Sequence, residues 1–277
     1  MYRYPAGIAV KHLITFFGLS YLISWLIWLP LYGHILGLDN LPALPFQHGL
    51  GGFGPLIAAF ITTYRYNGGN GVRILLRKFG SGRHWVYLLI ALFGPFLLAV
   101  IAAVISHFIT QKPVAFSGLL TVREFPEFNL IVFFLYNLLF FGLGEEAGWR
   151  GYALPALQSR YNALMAAVIL TFLWALWHWP AFFYRPGYMG MGIGGIMGWL
   201  FSLLTGSVLL TWLFNATRGS VLVCAIFHAT VDIAFTADFA DKDIVNYMGA
   251  LITVWGIVTI LIFRPRNLAP HRRVMME

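Results

Sequence analysis

The stretch FNLIVFFLYNLLFFGLGEE (Phe128–Glu146) contains seventeen residues without a charge and ends on two adjacent carboxylates, Glu145 and Glu146. A bilayer core takes roughly 20 apolar residues as one helix, so this stretch predicts a membrane-spanning helix. A charge in or near hydrocarbon is costly, and such groups usually face a protein interior or a water-filled cavity and mark function. The stretch therefore predicts an all-α membrane protein with a polar site inside the membrane.

The composition of the whole chain agrees with a membrane protein. Of its 277 residues, 60% are hydrophobic and 10% are charged, whereas soluble domains carry roughly 25% charged residues. The net charge is +8, but the basic residues lie between apolar runs, as membrane topology requires, so no nucleic-acid partner is expected. The single cysteine, Cys224, excludes an intramolecular disulfide and a cysteine metal cluster.

Apolar runs of membrane-spanning length occur at eight places along the chain. We predict eight transmembrane helices, over residues 12–33, 48–66, 84–108, 128–147, 162–183, 192–215, 220–237 and 244–263. A basic segment after the second span, about residues 69–80, has its apolar residues on one helical face and is expected to lie on the membrane surface. The whole chain, 1–277, is interpreted as a single membrane-embedded domain.

The distribution of Lys and Arg predicts how the chain is oriented. If both termini are cytoplasmic, fourteen of the eighteen basic residues fall on the inner side and four on the outer side. Cytoplasmic connections carry the excess of Lys and Arg, so we expect an integral protein of the cell membrane with both termini in the cytoplasm. Arg3 and Lys11 precede the first apolar run and no small-residue cleavage pattern follows it, so it is interpreted as a retained span.

Three segments place ionisable residues in apolar surroundings, and the first surrounds the two glutamates. Glu146 and Arg150 are four residues apart and share a helical face, so they are expected to form an ion pair. Glu145 points about 100° away, and its neighbour one turn later is Trp149, whose ring would withhold water from the carboxylate. A shielded carboxylate suits a general base. The alternative for these residues is a structural ion network at the membrane edge.

The other two segments carry histidines. His178 closes the segment WALWH, with Trp174 one turn before it, and an isolated histidine in such a helix is more often an interfacial or core residue. His228 and Asp232 are four residues apart and share a face. Three roles are open to this pair. The carboxylate could orient the imidazole, both groups could bind one substrate group or metal, or the pair could join two helices by a buried polar contact. Together, the segments supply the residue types of a hydrolytic site.

Two hydrolytic chemistries are open to these residues. In the first, Glu145 and His178 deprotonate a water that attacks a peptide carbonyl, while His228 stabilises the oxyanion. In the second, Glu145, His178 and His228 bind zinc and leave a fourth position for water. The chain has no HExxH motif and no clustered Cys and His. No metal or other cofactor is therefore favoured, and zinc is the alternative.

The segments EEAGWR (Glu145–Arg150), WALWH (Trp174–His178) and HATVD (His228–Asp232) resemble, in this order, the motifs EExxxR, FxxxH and HxxxN/D of the CAAX protease and bacteriocin-processing family. That family includes the type II CAAX prenyl endopeptidases of the Ras-converting kind. The likeness covers about residues 45–235, and GFGPLIAAF (Gly52–Phe60) resembles the family's second span. Three ordered motifs are much more specific than any one of them.

The resemblance implies an eight-span intramembrane endopeptidase of glutamate type. Its substrate would be a membrane-associated or lipidated peptide or protein, bound in a cavity open to the cytosol. The resemblance also implies that Glu145 activates water with His178, and that His228 with Asp232 forms the oxyanion side of the site.

The resemblance assigns a supporting role to Glu146 and Arg150. The chain departs from the family pattern at two positions. Trp174 stands where the family usually has Phe, which would reshape the pocket wall. Asp232 stands where prenyl-processing members have Asn; because a carboxylate donates poorly to an oxyanion unless protonated, it is expected to orient His228 instead.

Two other functions are compatible with the same residues. A membrane scaffold or bacteriocin-immunity protein would keep the fold and sequester a partner without catalysis. A transporter would use Glu145 and Asp232 as proton sites. Linear counting also places Glu145 near the cytoplasmic end of span four and His178 beyond the middle of span five. They would then lie more than roughly 10 Å apart in depth, unless the neighbouring glycines or a displaced span five close the gap.

Overall fold

The computed structural model describes residues 6–80, 85–114, 116, 118, 121–122 and 125–276. Within this part of the chain the regular secondary structure is helical and no strand occurs, so the predicted all-α class is confirmed. The longer helical segments are α1 (Ala6–Tyr32), α2 (Gly54–Arg77), α3 (Trp85–Thr110), α4 (Leu130–Gln158), α5 (Ala163–Trp177), α6 (Ile193–Ala216), α7 (Val221–Thr236) and α8 (Lys242–Asn267). Three of the basic residues counted for the orientation, Arg3, Arg83 and Arg123, lie outside the described residues.

These segments coincide with the eight predicted spans, but they differ in length. The helices α1, α3, α4, α6 and α8 are long and apolar enough to cross a membrane. The helices α5 and α7 are apolar but have only 15 and 16 residues, or roughly 23 Å of a hydrocarbon core about 30 Å thick. A polytopic membrane protein is confirmed, and two of its helices are too short to reach from one surface to the other unless the bilayer thins around them.

The second predicted span and the predicted basic surface helix are parts of one element, α2. Its backbone leaves helical geometry at Gly68, with φ 61° and ψ −163°, a conformation that a residue without a Cβ adopts readily. In the segment after this break Leu75 is buried and Leu76 is exposed. Its location on a membrane surface stays a prediction.

The fourth span is longer than predicted, because α4 continues to Gln158 rather than ending at residue 147. Two π-helical stretches, Leu138–Leu143 and Trp149–Ala153, flank the α-helical turn Gly144–Gly148 that carries the two glutamates. Hydrogen bonds from i to i+5 widen a helical turn and change the direction of the side chains after it, and they are frequent at functional sites. The glutamates therefore lie in the middle of α4 and not near its end.

Glycines bring α4 into close contact with the helices on either side of it. A Cβ at Gly148 would lie 2.5 Å from Cβ of Pro55 in α2, and a Cβ at Gly142 would lie 2.5 Å from the carbonyl oxygen of Ala225 in α7. Real Cβ atoms do not approach other atoms this closely. Small residues at these positions therefore let the backbone of α4 approach both neighbours.

The connections between the helices lie at two ends of the bundle. One end, called the terminal end, holds the α2–α3, α4–α5 and α6–α7 connections and the segment after α8. There the amide of Val221 donates to the carbonyl of Lys78 at 2.7 Å. The opposite end holds the α1–α2, α3–α4, α5–α6 and α7–α8 connections. There the amide of Asp238 donates to the carbonyl of Thr121 at 2.9 Å.

Candidate active site

The carboxylate of Glu145 lies inside the bundle and is held by two tryptophans. Glu145 is 3% exposed, and its Oε2 accepts hydrogen bonds from Nε1 of Trp149 at 3.1 Å and from Nε1 of Trp174 at 2.7 Å. Trp149 thus donates to the carboxylate as well as shielding it, and Trp174 contacts it directly rather than only lining a pocket. Oε1 accepts no hydrogen bond from the described residues. The two oxygens of this carboxylate are therefore in different environments.

Glu146 forms a separate, fully buried charge network. Its Oε1 accepts hydrogen bonds from Nη1 of Arg150 at 2.9 Å and from Nδ1 of His228 at 2.8 Å. Nη2 of Arg150 donates to Oγ of Ser207 at 3.1 Å, and Cζ lies 4.7 Å from the centre of the Trp174 ring. The ion pair predicted from the four-residue spacing is present, and it connects α4 to both α6 and α7.

His178 directly follows α5, and one of its ring nitrogens is already engaged. Its Nδ1 lies 2.8 Å from the carbonyl oxygen of Trp174. Because a carbonyl oxygen only accepts, Nδ1 carries the hydrogen and Nε2 is the nitrogen available to accept one. The ring packs edge-on against Trp177 and Trp199, with centroids 4.9 and 5.8 Å away. This aromatic surrounding fixes the orientation of the imidazole.

His228 is held by Glu146 more closely than by Asp232. The distance from Nε2 of His228 to Oδ2 of Asp232 is 3.6 Å, which is longer than a hydrogen bond, whereas Nδ1 lies 2.8 Å from Glu146. The expectation that Asp232 orients the imidazole stays a prediction, and the structure adds a closer contact, from Glu146 in α4 to Nδ1. The side chain of Asp232 is 33% exposed and places its carboxyl group 3.6 Å from Nε2.

A cavity of about 150 Å³ joins the four residues predicted to be catalytic. Glu145 borders it from α4, His178 from the end of α5, and the α7 residues His228 and Asp232 complete this part of its wall. Glu145 and His178 are both described residues, and no hydrogen bond connects them. They therefore meet only at the cavity, where a small molecule has access to both.

The predicted difference in depth between Glu145 and His178 was wrong, because span four was ended too early. Glu145 lies 13 residues before the end of α4 at Gln158, and His178 lies 15 residues after the start of α5 at Ala163. At about 1.5 Å per residue, both are roughly 20 Å from the connection between these two antiparallel helices. Equal distances from a shared connection place the two residues at a similar depth.

Besides two tyrosines, four polar residues that line the cavity were not among the predicted site residues: His48, Asn137, Arg185 and Thr236. Asn137 is 3% exposed and donates from Nδ2 to the carbonyl of Phe133 at 2.9 Å. A polar residue inside the apolar run of α4 was a usable signal for it. His48 and Arg185 lie outside the longer helices at the opposite end, where no spacing rule connects them to α4.

The zinc alternative does not fit the arrangement of these side chains. In the part of the chain that the structure describes, no group of three or more His, Cys, Asp or Glu is placed to hold one metal ion. Glu145, His178 and His228 share a cavity without forming such a ligand set, and Nδ1 of His228 is engaged by Glu146. No step is therefore assigned to a metal, and metal independence stays a prediction.

Fold and site together define an all-α polytopic membrane protein whose ionisable side chains meet at a cavity between its helices. Comparison with known proteins connects this site to a family. Residues 127–234 match the family described as type II CAAX prenyl endopeptidase Rce1-like. This range contains the three motifs and reaches from the start of α4 into α7, so the resemblance predicted from the motifs is confirmed.

A protein named CAAX prenyl protease 2, from Methanococcus maripaludis, is similar to part of the chain. The two are 44% identical over 54 residues. This match covers 20% of the present chain and 20% of the length of that relative. The similarity is thus high but confined to about a fifth of each protein.

Proposed function

We propose that this protein is a membrane-embedded endopeptidase that hydrolyses a peptide bond in a membrane-associated or lipidated peptide or protein. The observation that carries the proposal is the cavity where Glu145, His178, His228 and Asp232 meet. The match of the same segment to a family of prenyl endopeptidases supports it. The lipid bilayer and the peptide are the partners that this function requires, and the cell membrane is the expected location.

Glu145 is the general base in this proposal. Two indole donors hold Oε2, so Oε1 is the oxygen that accepts a hydrogen from a water in the cavity. Nε2 of His178 accepts the second hydrogen of the same water, because its Nδ1 already donates to a carbonyl. The water oxygen attacks the peptide carbonyl carbon while its proton passes to Glu145.

His228 is assigned to the negative charge that develops on the carbonyl oxygen. When both ring nitrogens carry hydrogen, Nδ1 donates to Glu146 and Nε2 donates to the oxyanion. Glu146 and Asp232 lie on either side of the ring and balance its charge. As the tetrahedral intermediate collapses, the carbon–nitrogen bond breaks and Glu145 returns its proton to the leaving amine. This step completes the hydrolysis without another reactant.

The test compares the termini of membrane proteins in cells that produce the native chain, Glu145→Gln or the control Glu127→Gln. Glu127 is an exposed glutamate outside the cavity. The proposal expects a set of new termini with the native chain and with Glu127→Gln that is missing with Glu145→Gln. Identical termini in all three cells, with each protein present and folded, would overturn it.

A further variant, combined with a measurement of partner binding, distinguishes a protein that sequesters a partner without cleaving it. In that case, alanine at Glu145, His178 and His228 together would leave both the termini and the partner binding unchanged. Loss of the termini with retained melting temperature supports catalysis instead. Measuring the melting temperature of each purified variant in detergent separates loss of chemistry from loss of fold.

A further inference from the structure

The cavity opens at the end of the bundle that lies away from the chain termini. Phe125 from the α3–α4 connection, Arg185 and Tyr188 from the α5–α6 connection, and Thr236 at the end of α7 all line it. Each belongs to the opposite end, and no described residue from a connection at the terminal end contributes to the lining. The cavity therefore extends from Glu145 in mid-helix towards the opposite end.

This position makes two of the sequence expectations incompatible. One placed both termini in the cytoplasm, and the other placed the cavity in contact with the cytosol. Because α1 to α8 alternate in direction, the terminal end and the opposite end face opposite sides of the membrane. A chain with cytoplasmic termini therefore has its cavity open to the other side.

The charges at the two ends decide between these expectations. Among the described residues the terminal end has eleven basic and no acidic residues, and the opposite end has three basic and five acidic ones. The basic residues of the terminal end are Lys11, Arg65, Arg73, Arg77, Lys78, Arg160, Arg218, Arg264, Arg266, Arg272 and Arg273. Cytoplasmic connections carry the excess of Lys and Arg, so the terminal end is the cytoplasmic one.

We infer that the cavity opens to the non-cytoplasmic face of the membrane, and that its substrates are exported or membrane-anchored polypeptides whose scissile bond lies at that face. The substrate class in this inference depends on the proposed function, whereas the sidedness depends only on the fold and the charges. A lipidated C-terminus that stays in the cytosol would not reach Glu145.

The mouth of the cavity has the chemistry to bind an apolar segment of such a polypeptide. Phe125, Phe133 and Tyr136 line it, and their rings contact one another, with the Phe125 and Tyr136 centroids 5.0 Å apart. Arg185 and Asp232 add charged groups to the same lining. Aromatic walls with a few convergent polar groups are typical of ligand sites.

Cysteine labelling tests the sidedness without any need for activity. Cys224 is buried and is the single cysteine of the chain, so Cys224→Ala gives a cysteine-free background. In this background we would introduce Thr236→Cys at the cavity mouth, Lys242→Cys at the same end outside the cavity, or Arg160→Cys at the terminal end. All three positions are exposed. Each is treated with a membrane-impermeant maleimide in right-side-out and in inside-out membrane vesicles.

The inference expects Thr236→Cys and Lys242→Cys to react in right-side-out vesicles, and Arg160→Cys to react only in inside-out vesicles. The reverse pattern, or equal labelling of one position from both sides, overturns it. If the thiol at position 236 is unreactive in both preparations, position 242 alone decides the sidedness. Because labelling does not depend on cleavage, a failed endopeptidase proposal leaves this result intact.

The termini found in the proteomic comparison provide a second readout, for the substrate class alone. New termini on the non-cytoplasmic side of membrane proteins support the inference. A set of new termini confined to cytosolic segments would overturn the substrate class, even with the labelling pattern expected above.

Discussion

Nε1 of Trp174 lies 2.7 Å from Oε2 of Glu145, so a side chain of α5 positions the carboxylate of α4. The same oxygen also accepts a hydrogen bond from Trp149, one turn later in α4. The adjacent Glu146 has no indole donor among the described residues and is engaged by Arg150 and His228. Two neighbouring glutamates with the same chemistry therefore have separate hydrogen-bond partners, and we expect substitutions to have different effects at the two positions.

We expect Glu145→Gln to remove activity and to leave the fold nearly intact. The amide oxygen of Gln still accepts from both indoles, but it cannot take a proton from water, so the cleavage rate should fall about 10²–10⁴-fold or more. Glu146→Gln should instead destabilise the protein, because Arg150 then lies buried without a carboxylate. Breaking a buried ion pair typically costs about 3–5 kcal/mol.

Cleavage rates and detergent melting temperatures of both variants check this division. A large fall in melting temperature for Glu145→Gln, together with a merely slower Glu146→Gln, would mean that the two roles are reversed.

Trp174→Phe and Trp177→Phe form a matched pair on α5. Each substitution removes one indole N–H, but Trp174 donates to the Glu145 carboxylate and Trp177 donates to the hydroxyl of Ser24 at 2.8 Å. A hydrogen bond to a charged group contributes about 1.5–3 kcal/mol, and one between neutral groups about 0.5–1.5 kcal/mol. Both variants should be less stable. Trp174→Phe should also slow cleavage, whereas Trp177→Phe should slow it much less, because Phe keeps an aromatic ring against His178. Equal rates in the two variants would contradict a positioning role for Trp174.

Gly148→Ala should destabilise the contact between α4 and α2. The added methyl group would lie 2.5–2.7 Å from atoms of Pro55, including its backbone, and overpacking of this kind typically costs about 1–3 kcal/mol. The control is Gly198→Ala in α6, where nothing lies within 4 Å of the added atom. That variant should be neutral or slightly stabilised, since alanine favours a helix over glycine by about 1 kcal/mol. Melting temperatures that fall equally would argue against the close approach.

We predict that cleavage does not require a metal. Elemental analysis of the purified protein should find no stoichiometric zinc, and a chelator should leave the cleavage rate unchanged. Zinc at one equivalent, with activity lost on chelation and regained when zinc is added back, would overturn the prediction. Glu145, His178 and His228 would then have to move to form a ligand set.

The fold was largely predictable because a run of apolar residues is a local property. All eight helical segments were found from such runs, and most of their boundaries agree within a few residues. The end of α4 was missed because Glu145, Glu146 and Arg150 interrupt the apolar run. These residues stay inside the helix because their partners come from other helices. The π-helical stretches beside them depend on the same packing, so no local pattern indicated them.

Within the site, the sequence predicted contacts inside one helix but not contacts between helices. The Glu146–Arg150 pair was predictable because both residues lie on one turn-to-turn face of a helix. The contact of Trp174 with Glu145 spans 29 residues of sequence, and that of His228 with Glu146 spans 82. Helical spacing relates only residues that are three or four positions apart, so it does not predict contacts across such sequence separations. It therefore indicated Asp232, on the same helix, as a partner of His228, and could not indicate Glu146.

The buried charges of α4 also affect how the protein is made. A charged residue at the centre of an inserting helix costs about 2.5–3.5 kcal/mol, and α4 is synthesised before Ser207 and His228, which later contact its charges. We expect a chain truncated after α4 to integrate this helix poorly, and a chain extended through α7 to integrate it fully, as measured with glycosylation reporters. Equal integration of α4 in the two chains would contradict the expectation that α4 needs the later helices. We therefore expect membrane insertion of α4 to be completed only after translation has reached α7.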